Sequence, residues 1–218
     1  VEWSTNEKAA LEVAAGAALS GVRSLVTMKQ VGLNVASDPL MSLAYIGVKG
    51  GMVVLAADDP GPISSQTEQD TRQFAEFANL PVFDPSSPEE AYRMIQDAFE
   101  YSEKYGTPVL FRPTTRVCHG CASIDLDGQR KKPAAGNFEK DPKWVIFPKL
   151  SFQSHLKINA RQPVLAEDFS GYWGNVLTPG SGKKGIAAGG VSWAYLKEAI
   201  SLLGADCRLL KIGTSNPF

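Results

Sequence analysis

Met52-Val53-Val54-Leu55-Ala56-Ala57, followed at once by Asp58-Asp59-Pro60-Gly61-Pro62, decides the fold. An unbroken aliphatic run this short, partly β-branched and ending in turn formers, reads as a strand buried on both faces. Such strands belong to parallel sheets covered by helices on either side. The acidic, Pro- and Gly-containing segment behind it is then a loop at the strand's carboxyl end.

The flanking sequence repeats the same alternation. Residues 24–28 read as a short strand and 38–46 as a helix; beyond the central strand, 67–78 read as a helix and Pro81-Val82-Phe83 as another short strand. Ser87-Pro88-Glu89-Glu90 is a helix start, with proline at the first helical position and acids in the first turn. That helix runs to Tyr105, with Ala91, Ile95, Ala98 and Phe99 on one face and Gly106 as its stop, before strand resumes at 108–111. The expected fold class is therefore α/β with a parallel sheet. Ahead of it, residues 7–21 form an Ala-rich helix, apolar on nearly every face and so expected to be buried all round. Gly16 and the alanines leave room for another helix backbone, or a flat ligand, to come close.

From 121 to about 181 the periodicity fades into polar sequence containing the basic cluster Arg130-Lys131-Lys132, which reads as an inter-domain connection. A second α/β unit begins near 182, with strand at 185–188, helix at 192–203 and strand at 207–212. The chain opens at Val1, directly before a helix start, and closes at Asn216-Pro217-Phe218 just after a strand-like run, so both ends look cut.

Composition narrows the function classes. With 218 residues, 44% hydrophobic, 21% charged and a net charge of −1, the chain suits a globular protein and lacks the basic surplus of a nucleic-acid binder. No stretch approaches the roughly 20 apolar residues that span a bilayer. Three cysteines cannot all pair within the chain, and a cytoplasmic, reducing setting fits them.

Several local patterns mislead. Cys118-His119-Gly120-Cys121 sets three soft ligands close together, but a closed zinc site needs four, so the segment reads as a loop and no metal ligand is expected. Gly180-Ser181-Gly182-Lys183-Lys184 lacks the first glycine and the final Ser or Thr of a phosphate loop, and it precedes a strand where that motif follows one. The loop 58–72 and Thr114-Thr115-Arg116 are more informative, because they crowd polar groups at carboxyl ends of strands, where open α/β sheets bind ligands. Ser64 or Ser65 could equally cap the next helix. Glu7 also has two readings. Ser4-x-x-Glu7 matches a capping box, while a carboxylate heading an apolar helix would be partly desolvated, which suits proton transfer.

These pieces, in this order, resemble the thiamine-diphosphate-dependent 2-oxoacid:ferredoxin oxidoreductases, and within them the alpha subunits of the indolepyruvate branch. The resemblance rests on Glu2-Trp3-Ser4-Thr5-Asn6-Glu7-Lys8, on the run from Thr27 to Ala36 containing Lys29-Gln30-Val31-Gly32-Leu33-Asn34, on Asp58-Asp59-Pro60-Gly61 with Ser64-Ser65-Gln66-Thr67-Glu68-Gln69-Asp70, and on Arg112-Pro113-Thr114-Thr115-Arg116-Val117. It implies a pyrimidine-binding domain of the thiamine-diphosphate fold over residues 1–120, its opening strand lying ahead of Val1, then the connection over 121–181. Residues 182–218 would start a transketolase-C-like α/β domain.

The resemblance further implies that Glu7 is catalytic, bonding N1′ of the cofactor's pyrimidine so that the 4′-nitrogen can take the C2 proton. It implies cofactor contacts from Asn6, Gln30, Gly32 and Asn34, the stretch 29–34 being read as a loop, and substrate contacts from Ser64, Ser65, Gln66 and Arg116. The reaction implied is oxidative decarboxylation of an aryl 2-oxoacid, with electrons passing through iron-sulfur clusters to ferredoxin and the acyl group to coenzyme A. Mg and the 4Fe-4S clusters would be held by segments outside this chain, whose partners would be a beta subunit in a dimer of heterodimers. Two alternatives remain: a pyruvate- or 2-oxoglutarate-type relative, or a non-catalytic assembly module in which Glu7 is only a helix cap.

Overall fold

The computed structural model of the protein describes residues 1–61, 65–126 and 136–218. Along the chain lie α1 (Glu7–Leu19), β1 (Ser24–Lys29), α2 (Gln30–Ile46), β2 (Met52–Ala57), α3 (Thr71–Ala78), β3 (Val82–Phe83), α4 (Pro88–Tyr105), β4 (Val109–Phe111) and α5 (Thr115–His119). After a 3-10 turn at Pro142–Trp144 come α6 (Pro148–Ser170), β5 (Val176–Thr178), β6 (Gly185–Gly189), α7 (Gly190–Leu203), β7 (Arg208–Ile212) and β8 (Thr214–Asn216).

The apolar run Met52–Ala57 forms the second strand of a sheet ordered β1-β2-β4-β3-β8. β2 pairs in parallel with β1, setting Val54 opposite Val26, and with β4, setting Val54 opposite Leu110. β3 extends the parallel array, and β8 closes the edge antiparallel to it. Successive residues of β2 point to opposite faces. Met52, Val54 and Ala56 pack with Leu11, Ala18, Leu33 and Leu40 of α1 and α2, whereas Val53 joins Met94 and Ala98 of α4 and Leu165 and Phe169 of α6. A strand covered on both sides must be apolar throughout, which is why the run has no polar interruption. Phe83 anchors the second face, edge-on to the rings of Tyr101, Phe169 and Tyr172 at 5.4–5.5 Å between centroids.

The start of α4 follows its sequence closely. The Ser87 hydroxyl accepts from the Glu90 amide at 3.2 Å, and Glu90 Oε2 accepts from the Ser86 amide at 2.6 Å. At the other end Gly106 takes φ +59°, the left-handed turn that terminates the helix.

The structure departs from expectation where packing overrode local signals. α1 is buried along one side only: Leu11, Ala14, Ala15 and Ala18 are covered, but Val13 is 59% exposed and Gly16 faces open space. α2 begins at Gln30, so residues 30–34 are its first turns and not a loop; Gly32 and Pro39 are accommodated inside the helix. Proline lacks the amide that would bond the Val35 carbonyl, and the helix continues past that one missing bond. α3 begins at Thr71, four residues later than expected, capped by Asp70. Cys118 and His119 close the helix α5 and do not lie in a loop. Within 121–181, α6 contributes Ile158, Leu165 and Phe169 to buried positions, and within 182–218 β8 pairs with the first sheet. The remaining strands make a separate sheet ordered β5-β7-β6, with β6, α7 and β7 as a parallel βαβ unit. The cluster Arg130-Lys131-Lys132 lies outside the described residues.

Candidate functional site

Connectivity alone brings two helix starts together. α1 leads through a tight turn into β1, so it runs back along the sheet and its first residue, Glu7, lies at the carboxyl edge. β1 passes without a break into α2, whose first turn begins at that same edge. Gly32, in that turn, meets Glu7 directly. A Cβ built on Gly32 would stand 2.6 Å from Glu7 Cγ and 2.8 Å from its Oε1, closer than any side chain tolerates. The glutamate therefore lies in a notch that only glycine leaves open.

Asn6, not Glu7, caps α1: its Oδ1 accepts from the Ala9 amide at 2.9 Å. Glu7 is the first helical residue, so the capping box suggested by Ser4-x-x-Glu7 is not formed. Its carboxylate is half-buried and, among the described residues, has no hydrogen-bond or ion-pair partner. A partly sheltered carboxylate with free lone pairs can accept a hydrogen bond from a protonated ring nitrogen. Lys8, one residue on, ties the same pair of helices through Asp38 at 2.7 Å.

A second group gathers at the ends of β1 and β2. Gln30 is fully buried, and its Nε2 donates to Ser65 Oγ and to the Thr67 carbonyl, both at 3.0 Å. Lys29 reaches Asp59 at 3.2 Å, and Thr115 donates its hydroxyl to Asp59. The bond from Thr115, aided by Ser65 and Lys29 against the opposing effect of burial, holds the Asp59 carboxyl down at about 2. Cys118 lies nearby, and burial, with the Asp59 charge behind it, pushes its thiol up, away from nucleophilic character.

Below these, at the ends of β2, β3 and β4, is a buried ionic knot, in which one oxygen each of Asp58 and Asp84 has no hydrogen-bond partner among the described residues. Arg112 Nε bonds Asp58, and Arg112 Nη1 donates to Asp84 at 3.1 Å; Thr71 adds its amide and hydroxyl to Asp58 at 3.1 Å each. Asp58, Asp84 and Arg112 are all buried. Burial pushes the Asp84 carboxyl up, while Arg112, and Arg72 at 3.8 Å, pull the other way. The Asp84 carboxylate also abuts the start of α7, where a Cβ on Gly190 would stand 2.7 Å from Asp84 Oδ1.

The residues singled out from sequence thus divide. Glu7, Asn6 and Gly32 come together. Gln30 and Ser65 meet each other, while Gln66 is exposed on the same loop and Asn34 is exposed on α2. Arg116 lies apart, its guanidinium 5.7 Å over the ring of Tyr195 on α7. Ser64 falls outside the described residues. Asp84 and Thr71 escaped the sequence reading, although a lone aspartate directly behind the strand residues Val82–Phe83 was the available signal. Among the described residues no group of three or more His, Cys, Asp or Glu side chains is set to hold a metal ion, and no helix is long and apolar enough to cross a membrane.

A sheet whose polar residues gather at its carboxyl edge, with a half-buried glutamate heading a small-residue helix, defines a class that comparison makes specific. The sequence pattern of the family described as pyruvate flavodoxin/ferredoxin oxidoreductase, thiamine-diphosphate-binding, matches residues 3–166, and the chain belongs to that family. Within it, the chain is 45% identical over 227 residues to indolepyruvate oxidoreductase subunit IorA of Methanothermobacter thermautotrophicus, all of this chain matching 36% of that protein. The subunit of the same name from Pyrococcus horikoshii is 44% identical, again over the whole of this chain and 35% of its own length. The chain spans about a third of the length of these curated relatives. Its fold is shared with 2-oxoglutarate:ferredoxin oxidoreductase from Magnetococcus marinus, at a TM-score of 0.73 and 15% identity, covering 99% of this chain and 46% of that one.

Proposed function

We propose that this chain supplies the pyrimidine-binding part of an enzyme that oxidatively decarboxylates aryl 2-oxoacids of the indolepyruvate type, with coenzyme A as acyl acceptor and ferredoxin as electron acceptor. The names of its relatives support the substrate class. The observation that carries the reading is the Glu7 carboxylate, seated in the Gly32 notch without a partner among the described residues and relieved of capping by Asn6.

Those residues fit the cofactor that the family binds. Thiamine diphosphate, when bound, supplies the electron sink that decarboxylation of a 2-oxoacid requires. Glu7 would hold a proton at the pyrimidine N1′, with Gly32 keeping its approach open and Asn6 fixing the helix start beneath it. Asn34, exposed on α2, is proposed at the rim of that site. On the substrate side Ser64, Ser65 and Gln66 would line the 2-oxoacid pocket. Arg116 would serve a substrate carboxylate only after leaving Tyr195.

Residues 1–120 are read as the pyrimidine-binding domain, 121–181 as the connection and 182–218 as the beginning of a transketolase-C-like domain, the separate β5-β7-β6 sheet supporting that last division. Mg, the 4Fe-4S clusters, a beta subunit, a dimer of heterodimers and a cytoplasmic setting complete the proposal. The test is ferredoxin reduction by the complete enzyme with coenzyme A. Indolepyruvate should be turned over with a kcat/KM at least about 100-fold above that for pyruvate or 2-oxoglutarate, a ratio within reach of pocket shape. Preference for either small 2-oxoacid would overturn the substrate assignment.

A further inference from the structure

Gln30 is completely buried beneath the loop behind β2. Its neighbour Lys29 holds the start of that loop through Asp59, and Gln30 holds the middle through Ser65 and Thr67. The orientation of the amide is fixed by chemistry: the Thr67 carbonyl can only accept, so the NH2 group must face it. The Oε1 is then left buried with no partner among the described residues. Two residues further along the same helical turn, Gly32 receives Glu7. One turn of α2 therefore sets the position of the loop relative to the glutamate.

We propose that Gln30 is a positioning residue for the 2-oxoacid: it clasps the Ser65–Thr67 loop at a fixed distance from Glu7, and governs substrate capture without taking part in proton transfer at the cofactor. The inference rests on the assignment of Glu7 above.

The experiment uses the complete enzyme carrying Gln30→Met, similar in length but without donors. KM for indolepyruvate should rise about 10- to 100-fold, the scale of a displaced substrate-positioning group. The hydrogen–deuterium exchange rate at C2 of bound thiamine diphosphate should stay within about twofold of the parent. Amide exchange should quicken in a peptide covering 65–70 and not in one covering the start of α1. Gln30→Glu provides a second variant: its KM should be raised at neutral pH and return toward the parent value as pH falls, because a protonated carboxyl regains one O–H for the Thr67 carbonyl.

An unchanged KM in both variants, or loss of C2 exchange with KM preserved, would overturn the positioning role. Failure of the Glu7 assignment shows separately, as C2 exchange that survives Glu7→Gln.

Discussion

Two regions at the same edge of the sheet are built on opposite terms. In the knot, Asp58, Asp84, Arg112 and Thr71 are buried and bonded to one another at the ends of three strands. Around Glu7, two helix starts meet through a glycine, and the carboxylate they frame is bonded to nothing among the described residues. A charge that is buried and paired fixes architecture, because removing either partner strands the other in a low dielectric. A carboxylate held in place with its lone pairs free is suited to act on something brought to it. Acidity at a strand end therefore does not by itself mark the reactive group. Whether a cation of the fold already pairs it does.

That contrast can be broken at its strongest point with Arg112→Met. Two buried aspartates would lose their shared cation, and stability should fall by about 3–5 kcal/mol, read as a lowered denaturation midpoint. A loss of under about 1 kcal/mol would mean the knot is not the structural element described.

Gly32→Ala makes a smaller change at the other region. Its Cβ would collide with Glu7 Cγ, so the glutamate must swing aside; the stability cost should be about 1–3 kcal/mol while turnover falls at least tenfold. Full activity in a folded Gly32→Ala enzyme would show that the notch is not needed.

Mildest is a pH effect at Asp59, whose folded value of about 2 lies below its ordinary 3.8. A depressed carboxylate contributes stability that is present above the unfolded value and is lost as pH falls through the folded one. The stability difference between the parent and Asp59→Asn should therefore be full above about pH 4 and shrink toward pH 2. A difference independent of pH across that window would contradict the Thr115, Ser65 and Lys29 bonds to it.

The sequence made the regular parts of this molecule legible where one signal dominated. β2 has no polar residue to argue against burial, and α4 carries proline, acids and a serine cap at one end with glycine at the other. It misled where a residue type has two uses. Gly32 looks like a loop residue, but it lies in the first turns of α2 and makes way for Glu7. α6 was hidden because only Ile158, Leu165 and Phe169 of its 23 residues are buried, with Pro163 inside it, so no apolar stripe repeats along it.

The site was legible in the same uneven way. Asn6-Glu7 stood out through the family resemblance, but their division of labour is a matter of geometry, since either could have been the cap. Gln30 stands out in the sequence, but a polar residue beside a glycine does not reveal which way its amide faces. The motif that singles out Arg116 carries no information about Tyr195, some eighty positions later, which takes up its guanidinium.

The most direct measurement is the rate of hydrogen–deuterium exchange at C2 of thiamine diphosphate bound to the complete enzyme, parent against Glu7→Gln, followed by acid quench and proton NMR. Loss of a positioned acid–base group should slow exchange by about 10²–10⁴-fold while the unfolding midpoint stays near the parent's. Exchange at the parental rate in the folded variant would contradict the role given to Glu7.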